Sequence, residues 1–105
     1  MEIQDILNLC TDDTIEITIH ALIRCHNRGI EYSDIVSAIQ RGEIIEDYPD
    51  DYPYPSCLIM GRTDKKGMLH IVAGIGENKL WIITAYFPSM DKWEPDFKTR
   101  KAVQK

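Results

Sequence analysis

The hydrophobic period changes halfway along this chain of 105 residues, and that change limits the folds open to it. In the first half, apolar residues recur at helical spacing. Ile3, Ile6, Leu7 and Cys10 follow i, i+3, i+4, i+7 and predict a short amphipathic helix over residues 2–10. Thr11-Asp12-Asp13 interrupts it with side chains that compete for backbone hydrogen bonds. Ile15, Ile17 and Ile19 then alternate with Glu16 and Thr18, a pattern open to a brief strand or to the first turns of a helix. The helix is preferred, because Ile19, Leu22, Ile23 and His26 share one helical face and Gly29 is a natural stop. Ser33 reads as the N-cap of the next helix, with Ile35, Val36, Ala38 and Ile39 inward and Gly42 at its end.

The second half has the strand period. Glu43-Ile44-Ile45-Glu46 opens a strand. Residues 47–56, DYPDDYPYPS, read as an extended exposed loop, since proline fixes φ and removes donors. Apolar or β-branched runs follow over residues 57–60, 68–75 and 80–87, with hairpin turns at 63–67 and 76–79. Pro88 ends the last strand, and Trp93-Glu94-Pro95 begins an irregular tail. The order predicts an α+β fold with N-terminal helices packed on one face of a C-terminal antiparallel sheet. Residues 1–14 form the N-terminal helix, 15–101 a single α+β domain and 102–105 a tail. With 44% hydrophobic and 28% charged residues, such a domain buries a core without staples.

Twelve Lys and Arg against 17 Asp and Glu leave a formal charge of −5 and a pI near 5.1. This balance argues against strong nonspecific binding of nucleic acid or anionic membrane by the whole surface, and leaves room for a local basic site. Lys98, Arg100, Lys101 and Lys105 form the most basic stretch. Cys10, Cys25 and Cys57 are odd in number and lack a C-x-x-C, so they read as small buried thiols in a reducing cytoplasm. Glu2 and Asp5 stand where a signal peptide carries basic residues, and no apolar run approaches the roughly 18 residues of a membrane span. A cytoplasmic protein with no membrane partner is expected. Phosphate-binding and dinucleotide loops, the G-x-S-x-G elbow and H-E-x-x-H spacing are all missing, so neither cofactor nor metal is expected.

Two groups of residues bear chemistry. His20, Arg24, Asn27 and Arg28 lie at i, i+4, i+7, i+8 on the side of their helix away from Ile19, Leu22 and Ile23. Guanidinium forks match phosphate oxygens, and a neutral imidazole accepts a proton near neutral pH. The bland alternative is a solvated helix face. His26 falls on the apolar side and reads as a packed or hydrogen-bonded histidine. On the strands, His70 stands out among apolar neighbours, and Thr84 and Tyr86 alternate on the next strand. A two-residue turn sets Thr84 and Tyr86 opposite His70, whereas a three-residue turn brings all three together, and the sequence leaves both open.

The motifs as a set are T-x-H-A from Thr18, Arg28-Gly29-Ile30, Asp34-Ile35-Val36, Gly42-Glu43-Ile44-Ile45, Leu69-His70-Ile71-Val72 and Thr84-x-Tyr86-x-Pro88. In these the chain resembles domain-of-unknown-function family 4258 over roughly residues 15–101. The family is similar in helix-then-sheet order to RelE-like, barnase–EndoU–colicin-type small metal-independent ribonucleases, many of them toxins with a cognate antitoxin. That likeness implies a fold, which does not by itself confer function. The family's recurrent polar positions map onto His20, Arg28, His70, Thr84 and Tyr86; Arg24 comes from spacing. The acidic pI departs from such toxins, which are usually basic.

Two functions follow. In the first, the protein is a metal-independent endoribonuclease of toxin type whose partners are RNA or the ribosome and a cognate antitoxin. His20 or His70 serves as base, Arg24 and Arg28 hold the phosphate, and Tyr86 or the other histidine is the acid. Tyr52 and Tyr54 stack on bases, and Arg100 adds a cation for the substrate. In the second, the protein is a non-catalytic protein-interaction module presenting the Tyr/Pro-rich loop, with Trp81 and Trp93 near it. The first requires His20, Arg28 and His70 to converge on an open cleft; if they point apart, or are buried and paired, the second is the better reading.

Overall fold

The computed structural model describes residues 1–102; Lys105 and most of the expected tail lie outside them. The fold is α+β. Its elements are α1 (Ile3–Asn8), β1 (Ile15–Ile17), α2 (Ile19–Arg28), α3 (Tyr32–Gln40), β2 (Glu43–Tyr48), β3 (Ser56–Arg62), β4 (Met68–Gly76) and β5 (Lys79–Tyr86). The strands form one sheet in the order β1-β5-β4-β3-β2.

Residues 15–17 form an edge strand, not the opening turns of a helix. Ile15–Ile17 pairs parallel to Leu80–Ile82, so the sheet is mixed, with β1 as its one parallel strand. Thr18 separates strand from helix: it is extended (ψ 155°) and its hydroxyl accepts from Ala21 N–H, capping α2. Gly29 ends α2 in the left-handed conformation, φ 69°.

The expected inward face of α2 is turned outward. Ile19 is 75% exposed, Leu22 58% and Ile23 54%, and His26 is exposed as well. Ala21 and Cys25 are the residues buried on the sheet side. Their small side chains let the helix axis lie close to the sheet, which three large aliphatic side chains would hold off. Helix α3 begins at Tyr32 with Glu31, not Ser33, as N-cap: Glu31 N–H donates to the Asp34 carboxylate at 2.8 Å. Ile35, Ala38 and Ile39 are buried, Val36 half-buried. Helix α3 lies flush on β3 at Gly61, where a Cβ would come 1.8 Å from the Ala38 carbonyl oxygen.

The register of β4 and β5 decides which polar residues meet. Glu77 and Asn78 are the two turn residues, both at positive φ (56° and 60°), as a two-residue hairpin turn of type I′ requires. Carried on regularly, that turn would set Thr84 and Tyr86 opposite His70. A bulge intervenes: Ala73 pairs with Ile82 but Val72 pairs with Thr84, leaving Ile83 as an extra residue. Beyond it His70 pairs with Tyr86, and His70, Thr84 and Tyr86 share one face.

That face is the one away from the helices. The core between helices and sheet contains Ile6, Ile35, Ile39, Ile59, Leu69, Ile71, Leu80 and Ile82. The opposite face is partly covered by the segment expected to be irregular. Residues 92–101 turn back on themselves, with Glu94 N–H donating to Thr99 (2.8 Å), Lys101 N–H to Lys92 (2.9 Å), and a bridge between Trp93 and Arg100. Phe97 is left-handed (φ 57°), an unfavourable conformation for a non-glycine residue. The Asp96 carboxylate holds the turn by accepting from the N–H groups of Lys98 and Thr99.

Candidate functional site

Beside the C-terminal hairpin, a cleft of about 680 Å3 opens between the end of α2 and the end of β5. Arg28, Tyr86, Phe87, Ser89, Lys92, Trp93 and Arg100 line it. Three are cations and none is a carboxylate, in a chain with net charge −5. Each wall has a local cause. Arg28 comes from the last turn of α2, where its Nη1 donates to the Ala85 carbonyl at 2.7 Å. Tyr86 ends β5, its phenol aimed at this side by the bulge at Ile83. The hairpin contributes Lys92, Trp93 and Arg100.

Behind Tyr86 and Trp93 lies His70, with no exposed surface. Its Nε2 is 2.7 Å from the Phe97 carbonyl oxygen. A carbonyl only accepts, so Nε2 carries the proton. In the neutral ring Nδ1 is therefore an acceptor, and the Tyr86 hydroxyl, 3.2 Å away, donates to it. Trp93 packs edge-on against the imidazole at 4.5 Å between centroids, and Tyr86 at 5.3 Å. Burial lowers the His70 pKa below 6.5, against the opposing pull of the Phe97 carbonyl and Glu46, while Arg100 adds to the lowering. Burial raises the Tyr86 pKa. Both groups are thus held neutral at physiological pH.

Arg100 is tied down. Its Nε and Nη2 donate to the two Glu46 oxygens at 2.7 and 2.9 Å, and its guanidinium lies 4.6 Å over the Trp93 ring. Hydrogen bonds from Arg100 hold the Glu46 carboxyl below its usual range, against the burial that raises it. Arg100 therefore anchors the hairpin, and its charge is largely met. Arg28 and Lys92 have no carboxylate partner among the described residues.

His70 makes a test of the buried arrangement. Its folded-state pKa is depressed, so the stability it contributes is complete above about pH 6.5 and is lost as pH falls through the lower folded value. Thermal denaturation between pH 7 and pH 5 is expected to show a larger loss in the parent protein than in His70→Gln. Equal losses would mean that the imidazole takes up its proton without cost.

The candidate residues from the sequence are thus divided. Arg28, Tyr86 and Arg100 line the cleft, and His70 reaches it only through Tyr86. His20 and Arg24 are exposed on α2 and do not line it. Thr84, half-buried, shares the face with His70 and pairs with Val72. Tyr52 is 96% exposed in the loop before β3. Tyr54 stacks on Trp81 at 5.8 Å and donates to Glu77, beyond the bulge at the turn end of β5. His20, Arg28 and His70 therefore do not converge: His20 is exposed on α2 and His70 is buried and paired. That counts against the ribonuclease as the sequence framed it and in favour of the interaction module.

The sequence reading missed Lys92, Ser89, Phe87 and Trp93 as cleft residues. The one signal was their place around Pro88, Phe87 just before it and Ser89, Lys92 and Trp93 beyond it, where the strand had to end. The thiols are not activated: burial raises the pKa of Cys10 and Cys25 and pushes Cys57 up to about 11. Among the described residues no three His, Cys, Asp or Glu side chains gather as metal ligands, and no helix is long and apolar enough to cross a membrane.

No curated protein and no solved structure matches this chain. Residues 17–87, about two-thirds of the chain, match a family model and include α2, the whole sheet apart from most of β1, and both His70 and Tyr86. The chain belongs to that family, described as Domain of unknown function (DUF4258).

Proposed function

We propose that the cleft binds an RNA phosphodiester and cleaves it without a metal, as an endoribonuclease of toxin type acting in the cytoplasm. The observation that carries this reading is a cationic cleft without a carboxylate, walled by a tyrosine whose hydroxyl is bonded to a buried neutral histidine. Arg28 and Lys92 hold the phosphate and meet the charge that grows on it in the transition state. The 2′-hydroxyl proton passes to Tyr86 Oη as the phenol's own proton passes to His70 Nδ1. The freed 2′-oxygen attacks phosphorus, and the bond to the 5′-oxygen breaks. Lys92 gives that oxygen a proton; the proton on His70 Nδ1 returns through Tyr86 Oη to solvent, and solvent reprotonates Lys92. The products are a 2′,3′-cyclic phosphate and a 5′-hydroxyl.

This is a different site from the one the sequence suggested, which needed His20, Arg28 and His70 together: here His70 acts at one remove through Tyr86, and His20 has no part. The α+β class of the fold agrees with this reading. So do the three free thiols, which suit a reducing compartment.

The test is a chelator-treated cleavage assay on a single-stranded RNA and on ribosomes. Cleavage is expected to leave cyclic-phosphate ends, while the all-deoxy oligonucleotide binds and stays intact. Arg28→Ala and Lys92→Ala are each expected to lower the rate by about 10²-fold. Binding without cleavage on either substrate would reduce the cleft to an RNA-binding site, and absence of binding would remove RNA altogether.

A further inference from the structure

The exposed side of α2 is a second surface, and its argument does not rest on the cleft. Ile19 and Ile23 lie one turn apart, about 6 Å, with Leu22 beside them, and all three are more than half exposed. A polar surface helix normally turns such residues inward. Here the inward places belong to Ala21 and Cys25, and the apolar strip stays more than half exposed among the described residues. On one flank stand His20 and Arg24, both exposed, with no ion pair among the described residues. On the other, Leu22 borders an apolar hollow of about 160 Å3 shared with Tyr32 and Ile17. The whole of α2 contains no Asp or Glu, although the chain has 17.

We propose that this face of α2 docks an acidic amphipathic helix of a partner protein. The apolar strip takes anchors at i, i+3 and i+4 of the incoming helix, and a side chain at its edge enters the hollow. Carboxylates on one flank of that helix face His20 and Arg24. The charge pattern selects the partner's sign. It also disfavours a second copy docked helix to helix, since that pairing sets Arg24 and His20 of one copy against the same residues of the other with no carboxylate on either α2. RNA is disfavoured by the aliphatic strip itself, which offers no ring to stack on a base.

The probe is a synthetic helix of about 18 residues, with leucines at i, i+3, i+4 and i+7 and glutamates along one flank. Its control carries lysine in place of each glutamate. Fluorescence anisotropy with the full chain is expected to show binding of the glutamate peptide at least about tenfold tighter than the lysine peptide. Ile23→Asp is expected to weaken the glutamate peptide by about tenfold or more. Arg24→Glu is expected to reverse the preference between the two peptides. Both substitutions are at exposed positions, and unchanged circular dichroism and melting confirm that the fold persists. Absence of binding, equal binding of the two peptides, or unchanged binding by Ile23→Asp would overturn the proposal. Two other results would also overturn it: dimerisation in sedimentation that Ile23→Asp abolishes, which assigns the face to a second copy, and displacement of the peptide by single-stranded RNA.

Discussion

Tyr86→Phe is expected to lower RNA cleavage by about 10²-fold or more while leaving oligonucleotide affinity and the fold unchanged. The substitution removes one oxygen. That oxygen donates to His70 Nδ1 at 3.2 Å and is the one atom through which the buried imidazole reaches the cleft. The ring stays, so its packing against His70 and its place on the cleft wall remain. Phosphate contacts come from Arg28 and Lys92, which the substitution does not touch. A parallel loss of affinity and rate would show that the hydroxyl binds substrate without moving its proton. A rate equal to the parent's would remove Tyr86 from the chemistry. The pH profile adds a second check. A neutral His70 must receive the proton, and burial lowers its pKa, so activity is expected to persist below pH 6.5 before it falls.

Gly61→Ala is expected to destabilise the protein by about 3 kcal/mol or more, at or beyond the upper end of ordinary overpacking. The added Cβ would lie 1.8 Å from the Ala38 carbonyl oxygen and 2.5 Å from its carbonyl carbon. Both are backbone atoms, so no side-chain rotation relieves the contact. The whole of α3 must lift from β3, and Ile35, Ala38 and Ile39 lose their seat in the core. At this chain length the melting temperature falls by about 15 °C. Gly67→Ala is the control: it has positive φ (81°) with nothing within 4 Å, so it carries backbone strain alone, about 1–2 kcal/mol. Equal losses in the two variants would mean that α3 rides higher over β3 than the close approach at Gly61 requires.

Much of the fold was legible because local rules and tertiary demands agreed. The apolar residues of α3, the runs that became β3, β4 and β5, and Gly29 as a helix stop all behave as their spacing and backbone preferences dictate. Reading failed where a long-range partner decides. Ile15–Ile17 looks helical until β5, more than sixty residues later, offers an edge to pair with. In α2 a strong apolar stripe predicts the core face, yet the face that packs is the one with the smallest side chains, Ala21 and Cys25. Periodicity counts hydrophobicity; it is blind to how near a helix must approach.

The site divides the same way. The sequence by itself determined the residue types: an arginine near the end of a helix, a histidine inside an apolar strand, a tyrosine at the end of the next, and the absence of any familiar phosphate loop. Each is fixed by composition and local spacing. Which of them meet was decided only by the tertiary structure. One extra residue at Ile83 turns Thr84 and Tyr86 to the face of His70, and a hairpin of residues 92–101 folds over that face to bury the imidazole. A single-residue bulge reverses the side on which every following side chain lies, and the pattern of side chains along the strand does not encode where it falls. The same folding that brings Lys92 and Arg100 to Arg28 leaves His20 and Arg24 on the open side of α2, because helix orientation follows the closeness of packing to the sheet.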